Sequence, residues 1–488
     1  MYRQILGYFP SVVIPALVSM VMIFAYTRLL SPAAFGAYTY VFSAALVVQT
    51  SLFYALPIAL TRFYPRAETA GREAALLKEA YVLFYGLSAA VIVVFLGLAL
   101  VVDLPDGFRI AAWLALPMML LRAAVLLNQS VNRSANRMSR VNAIDCLHAV
   151  LGFGFGLAGV YLLGRGPETI ILGLLSAAAI CACIDLPRLA SPLRRAAGAL
   201  NRRELMKLVD YAWPLVAAYA TDIILQNSDR FLLGSLGGAE ALGIYAVAYS
   251  LVERPTTILC VSITTATFSL ILQVLEKQGR EAARIQFGRN GIALLVVTLP
   301  ACAGLALTAD YVAATLVGPA FRQGVAALLP VISLAALARG FRGHFIDHAF
   351  HLSGRPLTML WSYVPATILN IGLNLWAVPR YGMTGAAWTA VVCQAVTVAG
   401  GWALAERQFP VRVPMGQLVR CVLAVVPMSA ALIMIRFPLN WFGLMAAVLM
   451  GAAIYGAAAF ALDVGECRSV GWEMLRERLR GRVAVPTS

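Results

Sequence analysis

Long apolar runs separated by short polar loops fill almost the whole chain. A helix needs about 20 predominantly apolar residues to cross a bilayer. Runs of that length are predicted at 8–30, 37–60, 80–102, 109–130, 142–164, 168–188, 209–233, 243–272, 289–316, 326–350, 358–378, 383–405, 417–436 and 441–463. The pattern predicts an all-α integral membrane protein with about fourteen transmembrane helices.

The composition excludes a soluble fold. Of the 488 residues, 61% are hydrophobic and only 12% are charged, whereas soluble domains carry about 25% charged residues. The net charge of +15 does not indicate nucleic-acid binding, because cytoplasmic loops of membrane proteins collect Lys and Arg. The eight cysteines lie almost all inside apolar runs without metal or redox spacing, so they are interpreted as packing residues. No metal site and no cofactor are predicted.

Lys and Arg are concentrated in every second loop, which predicts that both termini are cytoplasmic. The longest basic linker, 189–208, separates six spans from the next six. The predicted domains are therefore an N-lobe (1–188), the linker, a C-lobe (209–405), an extra helix pair (406–463) and a basic cytoplasmic tail (464–488). The short glycine turns at 35–38 and 242–245 resemble each other, as internal repeats of transporters do.

Two spans carry polar stripes. Asp222, Gln226 and Asp229 fall on one helix face at three- and four-residue spacing. Such a stripe is costly against lipid, so it is expected to face other helices or a water-filled cavity. Asn370 and Asn374 belong to a second stripe, for which two roles stay open: binding sugar hydroxyls, or bonding helix to helix. These residues are candidates for a polar cavity or for ion coupling.

Arginines inside the spans carry the most specific chemistry. Arg122, Arg254 and Arg339 lie 11 to 13 residues from the predicted periplasmic starts of their helices, about 17–20 Å deep. Arg342 is one turn deeper than Arg339. Each mid-membrane arginine costs about 2.5–3.5 kcal/mol, so several at one depth favour a cationic cavity that binds an anion, since guanidinium suits phosphate oxygens.

The competing interpretation is that each arginine forms an ion pair or reaches for the interface. Four carboxylates could offset part of the cost of burying these charges: Asp222, Asp229, Glu253 and Asp347. Arg28 and Arg230 end spans one and seven near the outer face, where they either meet a departing anion or anchor the helices. Three histidines near the cytoplasmic end of span ten have spacing that suits a metal, a proton relay or a simple capping role: His344, His348 and His351.

No catalytic signature accompanies these groups. The sequence contains no phosphate-binding Walker loop, nucleophile elbow or zinc-protease motif. It also lacks a large loop in which a catalytic domain could form. The protein is therefore not expected to be an enzyme.

Two segments resemble signatures of a known family. The sequence 27–38, TRLLSPAAFGAY, is similar to the first-loop signature of bacterial polysaccharide flippases. The sequences 229–234, DRFLLG, and 243–249, GIYAVAY, resemble their seventh-span signature. These are the Wzx-type O-antigen and exopolysaccharide transporters of the MOP superfamily, which also contains MATE drug exporters and lipid II flippases.

The resemblance implies two six-helix lobes around a central cavity, with alternating access across the bacterial inner membrane. The implied cargo is an undecaprenyl-diphosphate-linked oligosaccharide held by cavity arginines, and the extra helix pair is expected to accommodate its lipid tail. Membrane lipids, a polysaccharide polymerase and glycosyltransferases are the implied partners, in lipopolysaccharide or exopolysaccharide synthesis. The alternatives are a MATE-type multidrug–cation antiporter, a lipid II flippase and, from another class, a membrane glycan polymerase or ligase.

Overall fold

The computed structural model describes residues 2–101, 106–195, 202–354, 356–411, 413–466 and 468. The predicted tail beyond 468, and residues 196–201 of the predicted linker, lie outside this part of the chain. Within it every regular element is helical. The helices are α1 (Tyr2–Leu29), α2 (Pro32–Val48), α3 (Ala55–Thr69), α4 (Glu73–Val101), α5 (Asp106–Ser134), α6 (Met138–Leu162), α7 (Pro167–Arg195), α8 (Arg202–Leu236), α9 (Gly238–Leu307), α10 (Ala309–Leu316), α11 (Arg322–Phe341), α12 (Asp347–Leu352), α13 (Leu360–Gln408), α14 (Met415–Met434) and α15 (Trp441–Ala461).

The observed helices agree with the predicted number of spans. Over the described residues, ten helical stretches are long and apolar enough to cross a membrane. Two of them, α9 and α13, are interrupted at Gly279 (φ 86°) and Gly382 (φ 56°), so each supplies two helices. With α1 and α8, the described residues therefore contain about fourteen spans. Glycine stands at both interruptions because positive φ is strained for residues with a Cβ.

Local sequence explains how the first signature folds. Ser31 caps α2, its hydroxyl accepting a hydrogen bond from the amide of Ala34 at 3.2 Å, and Pro32 occupies the first helical turn, where a missing N–H costs nothing. Further along α2, a Cβ on Gly36 would stand 1.7 Å from the carbonyl oxygen of Ala239 in α9. The reciprocal glycine is Gly243, on which a Cβ would stand 2.0 Å from the Pro32 oxygen of α2. The two signature segments therefore pack backbone against backbone.

The helices form two compact units. The first unit comprises Met1–Val247 and Tyr363–Thr389, and the second comprises Ala248–Ser362 and Ala390–Ser488. The first has a core around Phe53, Leu60 and Leu127. The second has a core in which the rings of Phe287 and Phe345 stack at 4.6 Å. The division into an N-lobe, a C-lobe and an extra helix pair stays a prediction from the sequence.

Candidate functional site

A charged cluster in the second unit centres on Arg339 of α11. Its Nη1 lies 3.0 Å from Oε1 of Glu253 in α9 and donates a hydrogen bond to the Tyr249 hydroxyl. The guanidinium carbon is 5.1 Å from the centre of the Tyr249 ring, a cation–π distance. Tyr249 and Glu253 share one face of α9 because they are four residues apart. The Arg339 and Glu253 side chains are 14% and 30% exposed, so the pair remains reachable by solvent or a ligand.

Arg254 follows Glu253 and is exposed. It forms no ion pair with any residue in the described part of the chain. A second guanidinium group thus follows the paired carboxylate directly in the chain. Pro255 follows immediately inside α9, and because proline has no N–H, the carbonyl of Leu251 lacks its helical donor. A small void of about 10 Å³ borders Arg339 and Glu253, which is room for about one water molecule.

Arg342 lies in a different environment from Arg339. It is 4% exposed, and its Nε is 3.8 Å from Oδ2 of Asp347. The segment Arg342–Ile346 is a π-helical turn, and the amide of Asp347 donates to the carbonyl of Arg342, five residues earlier. The wider turn places these two side chains on one face, which an α-helix would not do for residues five apart. Arg342, which was predicted to lie one turn deeper than Arg339, therefore forms a buried ion pair with Asp347.

Arg122 lies in the first unit, on α5. Its Nη2 is 4.0 Å from Oδ1 of Asp145 in α6, and the two side chains are 26% and 18% exposed. Its Nη1 is buried without a hydrogen-bond partner among the described residues. The sequence reasoning missed Asp145, although a carboxylate inside the apolar run 142–164 was a visible signal.

The arginines keep similar positions along their own helices. Arg122 stands 16 residues after Asp106, Arg254 stands 16 after Gly238, and Arg339 stands 17 after Arg322. These intervals correspond to about 24–26 Å along each helix. They exceed the 17–20 Å expected from the sequence because the helices begin three to five residues earlier than predicted.

The two polar stripes lie in the first unit. Within α8, the Gln226 amide donates to Asp222 Oδ2 at 2.7 Å. Asp229 is 3% exposed and accepts a hydrogen bond from the Tyr245 hydroxyl. Its neighbour Ser228 donates to Asn370 Oδ1 of α13 at 2.7 Å. The first stripe is thus held by hydrogen bonds within the protein.

The second stripe is fully buried. The Asn374 amide donates to the backbone oxygen of Asn370 at 3.0 Å and to its Oδ1 at 2.9 Å. Oδ1 of Asn374 has no hydrogen-bond partner within the described residues. The bond from Ser228 shows that this stripe connects α8 to α13, which is one of the two roles that the sequence left open.

The remaining candidates make contacts of their own. Arg28 is exposed, and its guanidinium lies 3.6 Å above the Phe24 ring while Nη1 donates to the Phe24 carbonyl. Arg230 donates to Asn227 Oδ1 at 3.3 Å. Near α12, His344 Nδ1 is 3.2 Å from the Thr264 hydroxyl. Over the residues that the structure describes, no group of three or more His, Cys, Asp or Glu side chains could hold a metal ion.

An apolar cavity of about 590 Å³ in the second unit was not anticipated from the sequence. It lies between α9, α11, α13 and α14, and its walls include Leu295, Phe341, Trp402, Met415 and Leu418. Most wall residues belong to apolar runs that are also typical of an ordinary core, so only the packing reveals the space between them.

Taken together, the structure pairs Arg339 with Glu253 and Arg342 with Asp347, both in the second unit. Arg254 follows Glu253 in the chain and is exposed. Arg122 belongs to the first unit. The cavity predicted to join all four arginines therefore remains a prediction.

These helices and their embedded charges define a multi-pass membrane protein with the fold of MOP-superfamily transporters. The fold matches the solved lipid II flippase MurJ in an inward closed conformation, with a TM-score of 0.77 and 11% identity over 95% of this chain and 99% of that one. It also matches an inward-facing MATE multidrug resistance transporter, with a TM-score of 0.64 and 14% identity over 81% and 94%. A MOP transporter from Pyrococcus furiosus matches at 0.58, with 14% identity over 82% and 94%. The predicted MATE-like all-α fold is confirmed.

Sequence comparison identifies the family. A family profile described as "Polysaccharide biosynthesis protein" matches residues 25–326, which is more than half of the chain. The protein belongs to this family, as its two signature segments predicted. A search of curated proteins finds no match.

Proposed function

We propose that this protein is a flippase that moves a polyprenyl-diphosphate-linked oligosaccharide from the cytoplasmic to the periplasmic leaflet of a bacterial inner membrane. Its family supports a role in polysaccharide synthesis, and its fold is that of transporters. Alternating access between two six-helix lobes, 1–188 and 209–405, would expose the cargo headgroup to one side at a time. The concentration of Lys and Arg in alternate loops supports cytoplasmic termini.

The cargo presents a specific physical problem. A diphosphate cannot cross hydrocarbon unaided, because an unpaired charge in a low-dielectric medium is strongly disfavoured. A binding site must replace water with fixed positive groups, and arginine provides paired donors for phosphate oxygens. An inside-negative potential assists export of the anion by about 2.3 kcal/mol per charge per 100 mV.

The observation that carries the proposal is the partly exposed pair of Arg339 and Glu253 in the second unit. Arg254 follows Glu253 in the chain and is exposed, and Arg339 donates a hydrogen bond to Tyr249. We assign the first contact with the diphosphate to Arg254. Arg339 becomes the second donor when the diphosphate replaces Glu253 as its ion-pair partner. Arg122 and Arg342 are assigned to the same cationic path. Each is paired with a carboxylate, Asp145 or Asp347, which the diphosphate would displace.

The polar stripes have a separate role in this proposal. Asp222, Gln226 and Asp229 are candidates for coupling to an ion, together with Asn370 and Asn374. Arg28 and Arg230 are candidates for meeting the anion as it leaves. The apolar cavity beside α14 is large enough to hold part of a polyprenyl chain, since ligand cavities of about 300–1,000 Å³ are typical.

A complementation assay tests the assignment. In cells that depend on this protein for surface polysaccharide, three variants are compared, Arg254→Ala, Arg339→Ala and Arg342→Ala. The expected result is loss of polymer, with the lipid-linked intermediate accumulating in the cytoplasmic leaflet. Arg436→Ala, at an exposed position after α14, is the matched control. Full polymer output from all three variants at normal expression would remove the arginine assignment.

Lipid II is the second candidate cargo. The match to the lipid II flippase extends over 95% of this chain, so it cannot omit the α14–α15 region, Met415–Ala461. The match to the MATE transporter covers only 81%. Purified protein offered both lipid-linked substrates separates the two: preferential transport of lipid II would replace the polysaccharide precursor in this proposal.

A further inference from the structure

A basic pocket in the first unit is lined by none of the arginines discussed above. It has a volume of about 340 Å³, which is within the range of small-molecule sites. Three helices form it: the end of α3, the beginning of α4 and the beginning of α8. Its lining residues are Phe63, Arg66, Ala67, Ala70, Arg72, Leu76, Glu79, Lys207 and Leu208.

The sequence builds this pocket from helical periodicity. On α3, Phe63, Arg66 and Ala70 recur at three- and four-residue spacing, so they share one face. On the α4 side, Arg72 and Leu76 recur in the same way. The two faces meet because the chain turns sharply between the helices.

The turn itself fixes Arg72 at the pocket. Gly71 has φ 65°, and the amide of Arg72 donates to the Ala67 carbonyl at 2.8 Å. This is the hydrogen bond of a Schellman motif, in which glycine supplies the left-handed residue. The arginine therefore follows a conformationally defined position at the pocket rim.

The charge of the lining is unbalanced. Arg66, Arg72 and Lys207 contribute three positive charges, and Glu79 contributes one negative charge, which leaves two positive charges. Glu79 is only 4% exposed, whereas the three basic side chains are exposed. The carboxylate thus lies at the base of the pocket and the cations surround its opening.

The remaining walls are apolar. Leu76 and Leu208 belong to the buried core of the first unit, and Phe63 packs against it. A soluble inorganic anion would leave these surfaces uncovered. A lipid headgroup would place its phosphate among the cations and its glycerol region against the apolar walls.

We propose that this pocket binds the phosphate-bearing headgroup of an anionic phospholipid in the leaflet next to the Arg- and Lys-rich loops. Basic pockets between transmembrane helices are suited to such headgroups. Its lining contains none of the arginines assigned to the cargo, so this proposal does not depend on the proposed function. A bound lipid would connect α3, α4 and α8 through a shared anion.

A lipid-binding titration on the full-length purified protein tests the proposal. Phosphatidylglycerol, phosphatidylcholine and inorganic pyrophosphate are added separately, and bound ligand is counted by native mass spectrometry. The pocket variant carries three substitutions, Arg66→Gln, Arg72→Gln and Lys207→Gln. The matched control removes three charges from the same helices outside the pocket: Arg62→Gln, Lys78→Gln and Arg203→Gln.

Each basic residue near an anionic lipid is worth about a five-fold change in affinity, so the pocket variant should lose phosphatidylglycerol binding by roughly a hundred-fold. The control should stay within about five-fold of the unmodified protein. A monodisperse elution profile and an unchanged unfolding temperature show that both variants are folded. A charge-conserving variant, Arg66→Lys with Arg72→Lys and Lys207→Arg, should keep most of the binding if the pocket variant fails to fold.

Three results would overturn the proposal. Equal losses in the pocket variant and the control would indicate a general effect of surface charge. Undiminished phosphatidylglycerol binding by the pocket variant would show that the lipid binds elsewhere. Binding of pyrophosphate without phosphatidylglycerol would identify a soluble anion as the ligand.

Discussion

The contact between the two signature segments leads to a sharp stability prediction. Substituting Gly36 with Ala adds one methyl group where α2 touches α9. The new Cβ would lie 1.7 Å from the Ala239 oxygen and 2.9 Å from the Gly243 nitrogen. Ordinary contact begins near 3.4 Å. Both neighbours are backbone atoms, so no side-chain rotation can relieve the clash.

The helices must therefore separate by more than 1 Å at this point. Overpacking of a close contact typically costs about 1–3 kcal/mol, and a clash with backbone on both sides places Gly36→Ala at the upper end. At roughly 2–4 °C per kcal/mol for a large domain, we expect the apparent unfolding temperature in detergent to fall by about 5–10 °C. Differential scanning fluorimetry at a fixed heating rate measures the change, since membrane proteins commonly unfold irreversibly.

Gly86→Ala is the matched control. Gly86 is exposed on α4, and a Cβ there would meet nothing within 4 Å. Alanine is favoured over glycine inside helices by up to about 1 kcal/mol, so this variant should unfold at the same temperature or slightly higher. Equal unfolding temperatures for Gly36→Ala and Gly86→Ala would refute the backbone contact between the signature segments.

Three further predictions concern charge and turn geometry. Asp185→Asn should lower the free energy of unfolding by roughly 2–4 kcal/mol. The buried Oδ1 of Asp185 lies 2.7 Å from both Nε and Nη2 of Arg140, and the substitution removes its negative charge. An unchanged denaturation midpoint would contradict this. Glu253→Gln should tighten binding of a polyprenyl diphosphate on the order of ten-fold, since it removes the negative charge beside Arg339, and weaker binding in a native mass spectrometry titration would count against the assignment. Gly71→Ala should cost about 1–2 kcal/mol of stability, because its φ is 65°; thermal unfolding without a shift would show that the turn tolerates a Cβ.

The number and approximate extent of the helices were predictable because bilayer thickness sets the length of an apolar run. The seventy-residue helix α9 was correctly divided into two spans, since the polar stretch around Gly279 interrupts its hydrophobicity. The signature glycines could be recognised in the sequence, because the turns at 35–38 and 242–245 resemble each other. The contact between these glycines could not be predicted, because similarity between two segments does not imply that they touch.

The ion pairs were less predictable. Regular α-helical spacing predicted that Arg342 lies one turn beyond Arg339, but it did not predict the π-helical turn that pairs Arg342 with Asp347. A single inserted residue in a helical turn leaves no clear pattern in the amino-acid sequence. The pairing of Arg122 with Asp145 depends on how α5 packs against α6, which apolar periodicity does not determine.

The division into compact units also exceeds what local sequence indicates. The basic linker predicts a domain boundary near 189–208, which would divide the chain into consecutive segments. The segment Tyr363–Thr389 belongs to the first unit, where Asn370 accepts the hydrogen bond from Ser228. Contacts between residues 142 positions apart are set by tertiary packing, so a single sequence does not show them.

The most direct measurement of the central claim is the rate of translocation in proteoliposomes. A fluorescent polyprenyl-diphosphate-linked disaccharide is incorporated with the full-length protein, and its transfer between leaflets is followed by quenching from outside. The account predicts that Arg254→Gln slows transfer at least ten-fold while Arg436→Gln leaves the rate unchanged. Equal rates for the unmodified protein and Arg254→Gln, at matched reconstitution, would contradict it.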